Sequence, residues 1–136
     1  LKFTRKIIKE KENHHGAEVY LCKHCGNIIT KIKDIGVPVI CCDEPMSEIV
    51  PGTTDAPGEA VPVWTVENDI VHVKVGSVEH PMLPEHYIEW VSLQTKQGNQ
   101  RKELHPAKAG GLLRFCEGDE VEAVYAYCNL HSLWKA

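Results

Sequence analysis

With 136 residues, 15 basic and 19 acidic side chains and a formal net charge of −4, the chain can form one ordinary domain, or a very small one joined to a larger one. The charges are mixed along the sequence, which excludes a basic surface for nucleic acid or for an anionic membrane. No apolar stretch has signal-peptide or membrane-spanning length, so the expectation is a soluble, cytoplasmic protein with no membrane and no nucleic-acid partner.

Taken in chain order, residues 1–19 read as a polar leader broken at Gly16. Residues 20–50 form a first domain in which short apolar pieces (Ile28-Ile29, Ile35, Val37, Val39-Ile40) alternate with cysteine pairs. Gly26, Gly36 and Pro38 disfavour a helix there, and short strands around a metal fit better. Pro51 to Gly58 is loop chemistry. In the second domain, residues 51–136, strand character recurs at Val61–Val66, Ile70–Val75, Tyr87–Leu93, Leu112–Phe115 and Val121–Tyr127. Turn signals at Glu67-Asn68-Asp69, Gln97-Gly98-Asn99 and Glu117-Gly118-Asp119 separate these runs. The fold class is therefore all-β, with a sandwich or barrel in the second domain.

Six cysteines in a reducing compartment suggest metal or redox chemistry before disulfides. Cys22-Lys23-His24-Cys25-Gly26 is a metal knuckle: two intervening residues let both thiolates face one ion, and glycine tolerates the positive φ that the turn needs. Cys41-Cys42 completes a four-thiolate set. Adjacent cysteines splay less freely than a CxxC pair, so a distorted tetrahedron is expected. Four thiolates suit zinc or iron equally, and the residues alone do not choose. The competing reading is disulfides or buried thiols. A metal also explains how a segment of fewer than about 30 residues could fold, because binding supplies folding free energy.

A second set is more dispersed. His80 and His86 lie at the ends of strand-like runs, and Cys128-Asn129-Leu130-His131 places a thiolate and an imidazole at a spacing that closes on one ion from a turn. Spacing alone leaves open that the histidines are ordinary loop residues and Cys128 a core thiol.

Five stretches together carry a resemblance: Tyr20-x-Cys22-x-x-Cys25-Gly26; Cys41-Cys42-x-Glu44-Pro45-Met46; Gly76-Ser77-x-x-His80-Pro81-Met82; His86-x-Ile88-Glu89-Trp90; and Tyr127-Cys128-Asn129-x-His131-x-x-Trp134-Lys135. In this order, over about residues 20–135, they resemble desulfoferrodoxin, the two-iron superoxide reductase family. The resemblance implies a small desulforedoxin-like domain followed by an immunoglobulin-like β-sandwich. It implies two iron ions as cofactors, one on Cys22, Cys25, Cys41 and Cys42. The other would be held equatorially by His80, His86 and His131 and axially by Cys128, with an open face for superoxide. The implied reaction reduces superoxide to hydrogen peroxide, the thiolate pushing electron density toward the iron. The first iron would relay or store electrons from a donor such as rubredoxin. A homodimer is also implied.

One motif departs. The family's remaining ligand sits in Glu-Lys-His-x-Pro, and here the stretch is Gly58-Glu59-Ala60-Val61-Pro62. Anchored on Pro62, Ala60 stands where the histidine belongs and Glu59 where the lysine belongs. No histidine lies between His24 and His72. Water, the Glu59 carboxylate or nothing would then fill the vacant position, and a degenerate second site is the remaining alternative. His14, His15, His24, His72 and His105 carry no pattern of their own. Cys116 reads as a buried thiol, and Trp64, Trp90 and Trp134 as core or site-wall aromatics. The rival functions are an electron-transfer or redox-sensing protein using only the four-cysteine iron, and a structural zinc module.

Overall fold

A computed structural model describes residues 18–52, 61–75, 82–106, 111–114 (backbone only) and 118–136. The chain divides between Ile49 and Val50 into two compact units. Among the described residues all regular structure is β, every strand pairing is antiparallel, and no helix is long and apolar enough to cross a membrane.

The first unit contains β1 (Val19–Leu21), β2 (Ile28–Thr30), β3 (Ile40–Cys41), β4 (Glu44–Pro45) and β5 (Ser47–Ile49). A sheet of order β2-β1-β5 and a two-stranded β3-β4 ribbon make up its regular structure. Its apolar burial is slight: of its described residues only Val19 and Cys22 are buried, while Ile32, Ile35, Val37 and Ile40 are exposed. Polar contacts pin the loop after β2 instead. Lys31 Nζ donates to the Val37 carbonyl at 3.1 Å and to Asp34 Oδ1 at 3.3 Å, and lies 4.7 Å from the Tyr20 ring centroid. The Tyr20 hydroxyl donates to Glu18 and Asp34, and burial together with those carboxylates raises its pKa.

The second unit contains β6 (Pro62–Glu67), β7 (Ile70–Val75), β8 (Ile88–Thr95), β9 (Asn99–Glu103), β10 (Gly111–Arg114), β11 (Val121–Cys128) and β12 (Ser132–Lys135). They form one sheet of order β10-β7-β6 and another of order β12-β11-β8-β9. β7 alternates strictly, with Val71, Val73 and Val75 buried and His72 and Lys74 exposed, a cleaner period than its sequence suggests. Those valines meet Ile88, Val91 and Leu93 of β8 and Val124, Ala126 and Cys128 of β11 in one core, with Trp64, Met82 and Val121 packed against it. Facing sheets with a shared apolar interior make the sandwich.

Two strands were not among the expected runs. β9, Asn-Gln-Arg-Lys-Glu, is exposed at every position and stands at a sheet edge, where charge deters pairing with another chain. β12 is the opposite edge, with only Leu133 and Trp134 buried. Turns fall at the expected places: Asn68 takes φ 58° between β6 and β7, and Gly118 takes φ 83° before β11.

Candidate metal centres

The first centre is built by two turns. β1 delivers Cys22, whose backbone N–H donates to the Asn27 carbonyl at 2.8 Å while the Gly26 N–H donates back to the Cys22 carbonyl at 2.9 Å. Gly26 sits at φ 85°, the left-handed conformation that the knuckle requires. The other pair is made by a two-residue hairpin: Cys41 pairs with Glu44, and the intervening Cys42 and Asp43 take φ 52° and 62°. Positive φ at both central residues marks a type I′ turn, ordinarily the province of Asn-Gly. Adjacent side chains that would point apart on a strand are thereby turned toward one ion. The geometric cost of neighbouring cysteines falls on the backbone.

All four sulfurs lie within 4.8 Å of one another. Cys25 Sγ and Cys41 Sγ are 3.6 Å apart, far beyond a disulfide bond and near the roughly 3.8 Å edge of a tetrahedron with ~2.3 Å metal–sulfur bonds. The four cysteines are free thiols. The N–H groups of Cys25 and His24, aimed at Cys22, draw its pKa down to about 6 despite burial. The neighbouring sulfurs of Cys22 and Cys25 push Cys42 up to about 12, and Cys25 first raises Cys41. One thiolate is favoured by the fold. Four together need a cation among them, and that is the signature of a metal site. Asn27 Nδ2 reaches Cys41 Sγ at 3.6 Å, and His24 lies outside, half exposed, with Nε2 2.9 Å from Glu44 Oε2.

The second centre gathers three side chains at one end of the sandwich. Cys128 ends β11 with its side chain in the core, fully buried. His131 stands in the turn to β12, and its carbonyl accepts from Trp134 Nε1 at 2.8 Å. His86 is fixed before β8 by a bridge in which the Leu83 and His86 amides and carbonyls exchange bonds of 2.9 and 3.0 Å. His86 Nε2 lies 3.3 Å from His131 Nδ1, and Cys128 Sγ lies 3.7 Å from that nitrogen. The three ligand atoms fall within 4.8 Å of one another. Separations of about 3.0–3.6 Å are what nitrogen and sulfur ligands on one first-row metal ion require.

Of the residues singled out in the sequence, Cys22, Cys25, Cys41 and Cys42 come together, as do His86, Cys128 and His131. His80, Glu59, Ala60, Cys116, His14 and His15 lie outside the described residues. His72 is on the exposed face of β7, 3.8 Å from Glu67, and His105 is exposed; neither belongs to a centre among the described residues. What the sequence did not signal is Asn129. It was legible only as part of a motif, yet it ties the two halves of the second centre together: its Oδ1 accepts from the Tyr87 N–H at 3.0 Å and its Nδ2 donates to the Glu85 carbonyl at 2.9 Å.

Residues 59–136 match the family model described as desulfoferrodoxin. The chain is 40% identical over 129 residues to a desulfoferrodoxin of Clostridium acetobutylicum, covering 87% of this chain and 94% of that protein. It is 40% identical over 120 residues to a desulfoferrodoxin of Nitratidesulfovibrio vulgaris, covering 88% and 94%. The fold is similar to the crystal structure of the superoxide reductase from Treponema pallidum, with a TM-score of 0.74 and 36% identity over 88% of this chain and 95% of that one.

Proposed function

The chain belongs to the desulfoferrodoxin family, and from that premise we propose that it is an iron oxidoreductase that reduces superoxide to hydrogen peroxide. Cys22, Cys25, Cys41 and Cys42 would hold one iron, and His80, His86, His131 and Cys128 the other. The observation that carries this reading is the convergence of His86, Cys128 and His131, brought from distant parts of the chain to within 4.8 Å. Buried thiols and loop histidines have no reason to meet in this way. Similarity to a superoxide reductase over most of both chains supports the same reaction.

Iron held by these side chains would supply the single electron that, with two protons, converts superoxide to hydrogen peroxide. The protein's residues set the conditions for that exchange. His86 and His131 are partly exposed, so the imidazole side of the centre opens toward solvent and a small anion. Cys128 is buried, so its sulfur is shielded from oxidants in solvent. Imidazole ligands add no charge, so a single thiolate would leave a ferrous site net positive, which favours anion approach. Clustered unbridged thiols fit a reducing compartment, and the reading places the protein in the cytoplasm, with an electron donor such as rubredoxin and a homodimeric state. The four-cysteine iron relays or stores the donor's electron. Residues 20–50 and 51–136 are the corresponding domains.

Ala60 gives a second reading its support. With no histidine at that place in the motif, the second centre lacks one imidazole, and the chain would act as an electron-transfer or redox-sensing protein through the four-cysteine iron. Pulse radiolysis of the iron-loaded protein distinguishes the two. Superoxide should oxidise the ferrous form, with growth of a visible ferric-thiolate band. Silence toward superoxide, with one iron per chain, would sink the enzyme and leave the carrier. Zinc alone in both centres would leave neither.

A further inference from the structure

Resting on the proposed second iron centre, we infer that Asn129 is its principal positioning residue, a clamp that sets where His86 stands relative to Cys128. Asn129 follows Cys128 directly, so its backbone position is fixed by the end of β11. From there it makes three bonds to a segment 42 to 44 residues earlier in the chain. Oδ1 accepts from the Tyr87 N–H at 3.0 Å, Nδ2 donates to the Glu85 carbonyl at 2.9 Å, and the backbone N–H of Asn129 donates to the Tyr87 carbonyl at 3.2 Å.

The two residues gripped by the side chain flank His86 on either side. A primary amide offers an acceptor and a donor on one planar group, and here each meets a complementary backbone atom. The ladder between β8 and β11 has a register shift just here: Cys128 pairs with Ile88, and Tyr127 with Trp90. A bulged ladder defines the approach of the two strands less tightly than a regular one. The side chain of Asn129 supplies the missing constraint, and its Oδ1 lies 3.9 Å from Cys128 Sγ, beside the ligand it serves. Asn129 touches no reacting atom in this account. It acts through His86.

The test uses the full iron-loaded chain and two substitutions. Asn129→Ala removes both side-chain bonds, and Asn129→Asp keeps the acceptor for Tyr87 while losing the donor to Glu85. Loss of a residue that orients a metal ligand costs about 10- to 100-fold in metal affinity. N129A should therefore release iron from the histidine/cysteine centre about 10- to 100-fold faster under chelator challenge, with the ferric-thiolate band displaced. N129D should fall between N129A and the parent. The four-cysteine iron of the same molecule, which should be released at an unchanged rate, serves as the internal control. In the metal-free protein the Tyr87 amide should exchange its hydrogen about tenfold faster in N129A, with Val91 and Leu93 unaffected. Unchanged iron release and an unchanged band would overturn the proposal. So would acceleration of Val91 and Leu93 in step with Tyr87, which would mark Asn129 as a general stability residue. These readouts do not depend on superoxide, so an iron-loaded parent inert toward that anion would count against the proposed function alone.

Discussion

Among the described residues, four other than glycine hold a positive φ: Cys42, Asp43, Asn68 and Ser132. Three of them flank or belong to the metal centres, where strain tends to be kept because the site demands it. Cys42 is fixed by its sulfur. Ser132 is different, because it follows His131 and carries no ligand, yet turns the chain from the second centre into β12 at φ 63°. A left-handed L-residue costs roughly 1–2 kcal/mol, whereas glycine costs about 0.5–1 kcal/mol in unfolded-chain entropy. Ser132→Gly should therefore raise the stability of the sandwich by about 0.5–1 kcal/mol, read as a higher urea midpoint at an unchanged slope. An unchanged or lower midpoint would mean that the serine side chain holds the turn by a contact stronger than the strain. At this scale the knuckle glycine was legible, since only a left-handed residue closes that turn. The Cys42-Asp43 turn was not. Its sequence lacks the Asn-Gly signal because sulfur chemistry, rather than turn preference, chose the residue.

At the scale of elements, the strands with apolar faces could be read and the polar ones could not. β7, β8 and β11 bury valine, leucine and isoleucine, and each was visible as a run. β9 is exposed at every position and pairs with β8 at the sheet edge, so no hydrophobic period exists to be found. What secures the β8–β9 hairpin is a polar network anchored on Asp119. The Thr95 hydroxyl donates to Asp119 Oδ2, and the backbone N–H groups of Glu120 and Gln97 donate to Oδ1 at 2.8 and 3.2 Å. Gln94 Nε2 ties the Thr95 and Gly98 carbonyls, and Asn99 Nδ2 donates to Gln94 Oε1 at 3.0 Å. The Thr95 hydroxyl, followed by those amides, holds the Asp119 carboxyl below its ordinary value of 3.8. A carboxyl with a depressed native pKa takes up protons more readily once the chain unfolds. Its stabilisation is therefore complete above the unfolded value and disappears as pH falls through the native one. Asp119→Asn should lower the urea midpoint at pH 7, and the gap from the parent should narrow as pH drops below about 4. A gap that stays constant between pH 7 and pH 3 would show that Asp119 holds the hairpin as a neutral acceptor does, without its charge.

At the scale of the whole molecule, the two units depend on different sources of free energy. Among the described residues, the sandwich encloses ten buried core residues. The first unit buries only Val19 and Cys22 among its described residues and leaves Ile32 fully exposed and Ile35 at 70% exposure. At about 25 cal/mol per Å2, so little burial cannot offset the entropy of ordering five short strands and their loops. Metal binding to such thiolate sets supplies on the order of 10 kcal/mol, which makes it the term that decides whether the first unit folds. The cysteine spacing made this dependence legible, and the structure adds the reason: the strands of that unit have almost no interior. Stripping the metal with a strong chelator under reducing conditions should therefore abolish hydrogen-exchange protection of the β1, β2 and β5 amides. Val91, Leu93 and Val124 in the sandwich should keep theirs, because their burial does not involve the ions. Protection of Tyr20 and Ile29 that survives complete metal removal would mean that the pinned loop of Tyr20, Lys31 and Asp34 stabilises the unit more than the four thiolates do. The ions would then be held by a fold already formed.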